Sequence, residues 1–186
     1  MCRYYQVWNI EQVEGIELPK RFRAEPTAVK TVLEVNEIAE ALIKGFTNGP
    51  EIKIQGNQAC YYPVTDKVHM PAREQFLENN EYYSTLFHEL THATGHQSRL
   101  NRKELMAPTY FGSHDYSTEE LCAEMGAAFM CAHCGIDNTV ENSAAYIQGW
   151  LKKLKSDPKM LMMAAARAQK AFYHIAGQPE RIEDEE

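Results

Sequence analysis

The chain has 186 residues, of which 44% are hydrophobic and 24% are charged, proportions typical of one globular domain with its own core. The formal net charge of −7 argues against a broad surface for binding a polyanion. No apolar run approaches the ~20 residues that span a bilayer, and the polar residues 1–5 do not form a signal-peptide core. The odd number of cysteines, five, favours a reducing compartment. We therefore predict a single cytoplasmic domain, residues 1–186, with no membrane partner and an oligomeric state that the sequence does not set.

The first part of the sequence predicts an arm, a helix and a small sheet. Residues 1–25 mix short apolar pieces with helix breakers and are expected to form an extended arm. Apolar residues then recur at helical spacing over residues 29–43, with Thr27 in the position of a helix cap. Between residues 51 and 71 the apolar period changes to two, which predicts an antiparallel meander of two or three short strands.

The remainder of the sequence predicts four further helices and a frayed acidic tail at residues 177–186. Ser117 or Thr118 is expected to cap the second of these helices. Their approximate bounds are 73–95 (with an interruption near residues 79–80), 117–134, 142–155 and 158–176. Strands early and helices late indicate an α+β domain with about five helices.

The segment His88-Glu-Leu-Thr-His92 carries the chemistry. Two histidines four residues apart on a helix project from one face and reach a single ion. Zn²⁺ accepts imidazole nitrogens and keeps one position open in catalytic sites. Glu89, beside the first histidine, is placed to take a proton from the attacking water. The motif predicts a catalytic zinc site with ligands His88 and His92 and Glu89 as general base.

Such a site needs a third protein ligand, and the residues leave several candidates. A histidine at position 98 would complete an HExxHxxGxxH motif, but that position is Ser98. His96 is one helical turn after His92, although a helix would have to continue through Gly95. Glu120 and Glu124 lie one turn apart on a downstream helix, whereas Glu119 is offset by ~100° from Glu120. Spacing alone does not decide between Glu120 and Glu124.

Several stretches resemble the zincin-like metallopeptidase domain of ArdC-type antirestriction proteins of mobile genetic elements. They are YSTLFHELTHATGH (residues 83–96), YSTEELCAEMGAAF (116–129), ACYYPVTD (59–66) with Met70-Pro71, and NSAAYIQGW (142–150). The likeness extends over most of residues 3–176. It implies a gluzincin-type metallopeptidase fold and a role in protecting incoming DNA from host restriction.

The resemblance also implies roles for the two glutamates. The pattern Glu120-x-x-Ala-Glu124 is similar to the Glu-x-x-Ala-Asp arrangement of other glutamate zincins. There the first carboxylate binds zinc and the later one orients a ligand histidine. On this basis Glu120 is the expected third ligand, and Glu124 is expected to support a ligand histidine.

The same resemblance bears on DNA and on the reaction. Family members carry an upstream domain that binds single-stranded DNA, and residues 3–10 resemble the junction that follows it. DNA is therefore expected to be a partner only through that missing domain. The expected activity is zinc-dependent hydrolysis of a peptide bond in a protein or peptide substrate. The alternatives are a catalytically silent scaffold that blocks restriction by binding, and a hydrolase for a non-peptide amide. Candidates for stabilising the oxyanion are Tyr110, Tyr116, Tyr146 and His174.

Overall fold

The computed structural model describes residues 36–106, 114–136, 154–155 and 157–178. All of these residues belong to one compact unit, Leu33–Glu186. Helices and strands follow in the order α1 (Glu37–Gly45), β1 (Glu51–Ile54), β2 (Cys60–Tyr62), β3 (Lys67–Met70), a 3₁₀ turn (Arg73–Gln75), α2 (Asn79–Thr94), α3 (Lys103–Met106), α4 (His114–His133) and α5 (Pro158–Ala176). The predicted α+β class is confirmed. Among the described helices, none is long and apolar enough to cross a membrane.

Helix α1 begins later than the sequence predicted. The Asn36 side chain accepts a hydrogen bond from the Ala39 amide at 3.0 Å, and Asn36 itself has an extended backbone (φ −81°, ψ 103°). An extended residue capped in this way is a helix start, so a continuous helix over residues 29–43 was wrong. Thr27, the residue predicted to cap it, lies outside the described residues, as does the predicted arm.

The three strands form a mixed sheet with the order β1-β3-β2. Central β3 pairs antiparallel with β2, as in Tyr61 opposite Val68, but parallel with β1, as in Ile52 opposite Val68. The prediction of an all-antiparallel meander was therefore wrong for β1. Alternating apolar residues predict that strands form but carry no information on their direction. Here five residues, including Gly56 at φ +73°, carry the chain from one edge of the sheet to the other.

Helix α2 starts close to the interruption that the sequence predicted. The break lies at residues 76–78 and not at 79–80, because the 3₁₀ turn ends at Gln75 and α2 starts at Asn79. The helix buries an apolar stripe in the core, made of Tyr82, Tyr83, Leu86, Phe87 and Leu90. This burial fixes the rotation of α2 about its axis, so its polar face is presented to the opposite side.

Helix α4 packs directly on α2, and Gly126 of α4 lies against Thr91 of α2. A Cβ built on Gly126 would lie 2.6 Å from both Oγ1 and Cγ2 of Thr91, so no larger residue fits there without movement. The small residues Ala123 and Ala127 of α4 are buried as well. The helix begins at His114, one turn before the cap predicted at Ser117 or Thr118, so that prediction was wrong.

The C-terminal helix α5 has the predicted bounds. The Asp157 side chain caps its first turn by accepting a hydrogen bond from the Lys159 amide, and Gly177 ends it in the left-handed conformation at φ +63°. Four helices of nine residues or more lie in the described part of the chain, so the predicted count of about five was slightly high there. The predicted helix over residues 142–155 falls outside the described residues except Leu154 and Lys155, which are helical.

Candidate metal centre

Helix α2 presents His88 and His92 side by side, as their spacing predicts. Their Nε2 atoms lie 3.2 Å apart. Two ligand atoms at ~2.0–2.1 Å from a tetrahedral ion would be separated by roughly 3.3–3.4 Å. The two nitrogens are therefore already at about the spacing that one ion requires.

Helix α4 adds the carboxylate of Glu120 to the same point. Its Oε2 lies 3.7 Å from Nε2 of His88, and its Oε1 lies 3.5 Å from Nε2 of His92. Ligand atoms of these three residues all fall within 4.8 Å of one another. Two imidazole nitrogens and one carboxylate oxygen are the donor set of a catalytic divalent-metal site. The structure thus brings the three predicted ligands together, and their role as ligands stays a prediction.

Each histidine has a carboxylate on its second ring nitrogen. Oε2 of Glu124 lies 3.4 Å from Nδ1 of His88, which is the place predicted for this glutamate. Oε1 of Glu119 lies 3.1 Å from Nδ1 of His92, a contact that the sequence analysis missed. Glu119 was set aside because only one of two adjacent glutamates can face the ion. Glu119 instead contacts Nδ1 of His92, the ring nitrogen on the opposite side from the one that faces Glu120.

Arg102 is a further residue of this site that sequence reasoning missed. It follows the end of α2, and its guanidinium donates to both oxygens of Glu119, from Nε at 2.9 Å and from Nη2 at 2.8 Å. The side chains of Arg102 and Glu119 are each 6% exposed. No local sequence pattern would have identified a buried arginine eight residues after the end of α2.

The charges of the site favour a cation. Burial alone would lower the pKa of His88, but hydrogen bonds with Glu120 and Glu124 and the charge of Glu89 outweigh it and raise the pKa to about 10. Burial alone would likewise raise the pKa of Glu119, yet its hydrogen bonds with His92 and Arg102 lower it to about 2. The carboxylates of the site therefore stabilise a positive charge, and a divalent ion would supply such a charge.

Glu89 faces strand β2 across the pocket. Its Oε2 accepts a hydrogen bond from the Tyr61 backbone amide at 2.7 Å. The hydroxyl of Tyr61 donates to Asp66 at 2.8 Å, and Arg99 in turn binds both Tyr61 and Asp66. The side chain of Tyr61 is held by Asp66 and Arg99, and its main chain is part of the sheet. The amide that orients Glu89 is therefore fixed in place.

A cavity of about 340 Å³ is lined by the three ligand candidates and by Glu89, Glu119, Tyr61, Cys60, Leu105 and Tyr116. Burial raises the pKa of the Tyr116 hydroxyl, and so do the charge of Glu120 and a hydrogen bond with it, so this group keeps its proton. Of the other candidates for stabilising an oxyanion, His174 does not line this cavity, since its ring packs edge-on against Phe46. Tyr110 and Tyr146 lie outside the described residues.

The segment after α2 argues against His96 as the third ligand. The helix ends at Thr94, so His96 leaves the ligand face, and its Nδ1 lies 2.8 Å from Oγ of Ser98 instead. Gly95 has an ordinary right-handed backbone (φ −76°), so its conformation does not require glycine. The space beside it does. A Cβ there would lie 3.0 Å from the guanidinium carbon of Arg102.

A histidine pair with a glutamate between them on one helix, and a third ligand candidate on a second helix, define a zincin-type site. The chain belongs to the zincin-like metallopeptidase family, whose model matches residues 37–167. Related sequences include the DNA primase TraC of Escherichia coli, 37% identical over 164 residues, which are 88% of this chain and 14% of that protein. The uncharacterized protein y4eC of Sinorhizobium fredii is 34% identical over 169 residues, covering 90% of this chain and 52% of that protein.

Among solved structures, the chain is similar to the antirestriction protein ArdC from the R388 plasmid. The Mn(II)-bound crystal structure has a TM-score of 0.64 and 33% identity, covering 96% of this chain and 63% of that one. The metal-free structure has a TM-score of 0.61 and the same identity, covering 95% and 62%. The resemblance to ArdC-type antirestriction proteins is thus confirmed. The chain spans less than two thirds of the length of each of these relatives.

Proposed function

We propose that this chain is a metal-dependent hydrolase of peptide bonds, with a divalent ion, Zn²⁺ in our assignment, held by His88, His92 and Glu120. The observation that carries the proposal is the convergence of these three ligand atoms within 4.8 Å, beside Glu89 in one cavity. The Mn(II)-bound form of ArdC supports a divalent ion in this family, and the nitrogen-rich donor set favours zinc.

A divalent ion bound there would polarise the scissile carbonyl and lower the pKa of the attacking water. Glu89 accepts the proton of that water and passes it to the leaving amine. One of its carboxylate oxygens is held by the Tyr61 amide, and the other is the atom to which we assign the proton transfer. Tyr116, protonated and in the same cavity, would turn its hydroxyl from Glu120 to the developing oxyanion and donate its hydrogen bond there.

Strand β2 provides the surface for the substrate. It is an edge strand of the sheet, and Cys60 and Tyr61 line the cavity. An extended peptide that pairs with the main-chain groups of this edge other than the Tyr61 amide, which Glu89 holds, would be aligned across the metal site. We therefore assign a protein or peptide in extended conformation as the substrate, and not a non-peptide amide.

The biological role that we propose follows ArdC, namely protection of mobile-element DNA against host restriction. This role is carried by the 33% identity to ArdC over nearly all of the chain. DNA contact is assigned to parts of such proteins that lie outside the region shared with this chain. Hydrolysis of a protein substrate by this domain would then be the step that counters restriction.

The second candidate is a catalytically silent scaffold that acts by binding. It is favoured by one observation: the metal-free and Mn(II)-bound forms of ArdC match this chain with similar TM-scores, 0.61 and 0.64. A fold that needs no ion for its shape can serve as a binding module. Against it stands Glu89, because a scaffold has no use for a base oriented by its own backbone donor.

The two candidates are separated by Glu89→Gln. An amide cannot accept the proton of water, so this variant should bind metal as the wild type does and lose hydrolysis of a denatured-protein substrate. Glu74→Gln, the same chemical change on an exposed residue, is the matched control and should keep both properties. Metal content by plasma mass spectrometry and cleavage by gel, each with and without single-stranded DNA, are the measurements. Equal cleavage by Glu89→Gln and wild type would refute the general-base role, and no cleavage by wild type would favour the scaffold.

A further inference from the structure

We propose that the buried pair Arg102 and Glu119 positions His92, holding its ring so that Nε2 is the atom offered to the metal. This inference rests on the proposed metal site but concerns residues that bind neither metal nor substrate. Arg102 acts through Glu119, and Glu119 acts through His92. The pair therefore consists of positioning residues and not of catalytic residues.

The hydrogen bond between His92 and Glu119 has only one workable direction. Both oxygens of Glu119 accept hydrogen bonds from the Arg102 guanidinium, so this carboxylate acts as an acceptor toward His92 as well. The proton must then reside on Nδ1 of His92, which lies 3.1 Å from Oε1 of Glu119. With the proton on Nδ1, the lone pair of a neutral ring is on Nε2, the atom that faces His88 and Glu120.

Arg102 fixes Glu119 because the guanidinium is held on both of its sides. One side forms the two-point contact with Glu119 at 2.8 and 2.9 Å. The other side donates to the carbonyl of Thr91 at 2.6 Å and to the hydroxyl of Thr94 at 2.7 Å. These acceptors belong to the last turn of α2, the helix that carries His92. Arg102 thereby ties the position of Glu119 on α4 to the helix end that carries the ligand.

Gly95 belongs to the same arrangement. A Cβ at this position would lie 3.0 Å from Cζ and from Nη2 of Arg102, and equally close to Cδ2 of Leu105. Any side chain there would press on the guanidinium plane. The glycine three residues after His92 is therefore explained by the space that Arg102 occupies.

Arg99 provides a built-in comparison. Its side chain is 1% exposed and donates to the carbonyl of Ala93, also at the end of α2, at 2.7 Å. Its carboxylate partner is Asp66, which contacts neither ligand histidine. Arg99 and Arg102 thus have buried side chains at the same helix end, but Arg99 leads through Tyr61 to Glu89, whereas Arg102 leads through Glu119 to a ligand histidine.

The experiment compares Arg102→Lys with Arg99→Lys. Lysine keeps the charge but cannot form the two-point contact, so both variants should lose thermal stability. Only Arg102→Lys should weaken zinc binding in a chelator competition. Glu119→Ala should weaken it roughly 10–100-fold, and the double variant Arg102→Lys/Glu119→Ala no further, because the arginine acts through the glutamate. Gly95→Ala displaces the guanidinium without removing its charge and should weaken zinc binding as Arg102→Lys does.

A second readout needs no metal. In metal-free protein labelled with ¹⁵N-histidine, the NMR spectrum should show His92 protonated on Nδ1, and Glu119→Ala should shift the proton to Nε2. An unchanged tautomer, or zinc affinities equal in Arg102→Lys and Arg99→Lys, would overturn the proposal and leave the metal site standing. Failure of the metal site itself would show differently, as unchanged zinc affinity in His88→Ala.

Discussion

Replacing Gly126 with alanine tests how closely the metal site depends on the distance between two helices. The added Cβ would lie 2.6 Å from Oγ1 and from Cγ2 of Thr91, well inside the contact distance of real Cβ atoms. Thr91 cannot turn away freely, because it is fully buried and its hydroxyl donates to the Phe87 carbonyl at 2.8 Å. Helices α2 and α4 must therefore move apart.

The expected cost follows from overpacking of a buried contact, about 1–3 kcal/mol of unfolding free energy. For a domain of this size each 1 kcal/mol corresponds to roughly 2–4 °C in Tm, so we expect a drop of roughly 2–12 °C. Zinc affinity should fall as well, since His88 and His92 lie on α2 and Glu120 on α4. Calorimetry and chelator competition measure the two effects.

Two controls make this result specific. Gly45→Ala places a methyl group at the end of α1 where nothing lies within 4 Å, and it should leave zinc affinity unchanged. Thr91→Ala in the background of Gly126→Ala removes both clashing atoms and should recover part of the lost Tm. Wild-type stability and affinity in Gly126→Ala alone would refute the close contact between the helices.

Three further predictions concern the metal directly. Purified protein should contain about one zinc per chain, and His88→Ala or His92→Ala should abolish it; full occupancy in either variant, measured by mass spectrometry, would contradict the ligand assignment. Glu120→Ala should lose zinc nearly completely, whereas Glu124→Ala should bind it roughly 10–100-fold more weakly; the opposite order in a titration would mean that Glu124 is the ligand. Zinc at about 100 times its Kd should add about 2.7 kcal/mol to the free energy of unfolding of the metal-free protein. A Tm that changes with neither added zinc nor a chelator would exclude zinc binding to the folded state.

The sequence predicted the part of the site that depends on spacing along one helix. His88 and His92 share a face of α2 because they are four residues apart, and the same spacing relates Glu120 to Glu124. The apolar stripe of α2 fixed which face would be buried. Local periodicity was therefore enough to pair His88 with His92, whereas the choice of Glu120 over Glu124 came from the resemblance to other glutamate zincins.

The sequence did not predict what depends on contacts between elements. Arg102 lies in an irregular segment, and its partner Glu119 was excluded by an argument about the ion alone, although an imidazole has two nitrogens to satisfy. The parallel pairing of β1 with β3 was missed because alternating apolar residues are the same in both directions. The start of α1 was misplaced because Asn36, a good cap, lies within a stretch that keeps helical periodicity.

The hydrogen bond from Tyr61 to Glu89 has a consequence for mutagenesis. The donor is a main-chain amide, which every residue except proline supplies, so an alanine scan of the cavity would pass over the group that orients the base. A change of side chain at position 61 would remove the phenol that contacts Asp66 and Arg99. It would leave the amide that binds Glu89 in place. Tyr61→Pro is the substitution that deletes this donor, and an edge strand is where a sheet tolerates proline.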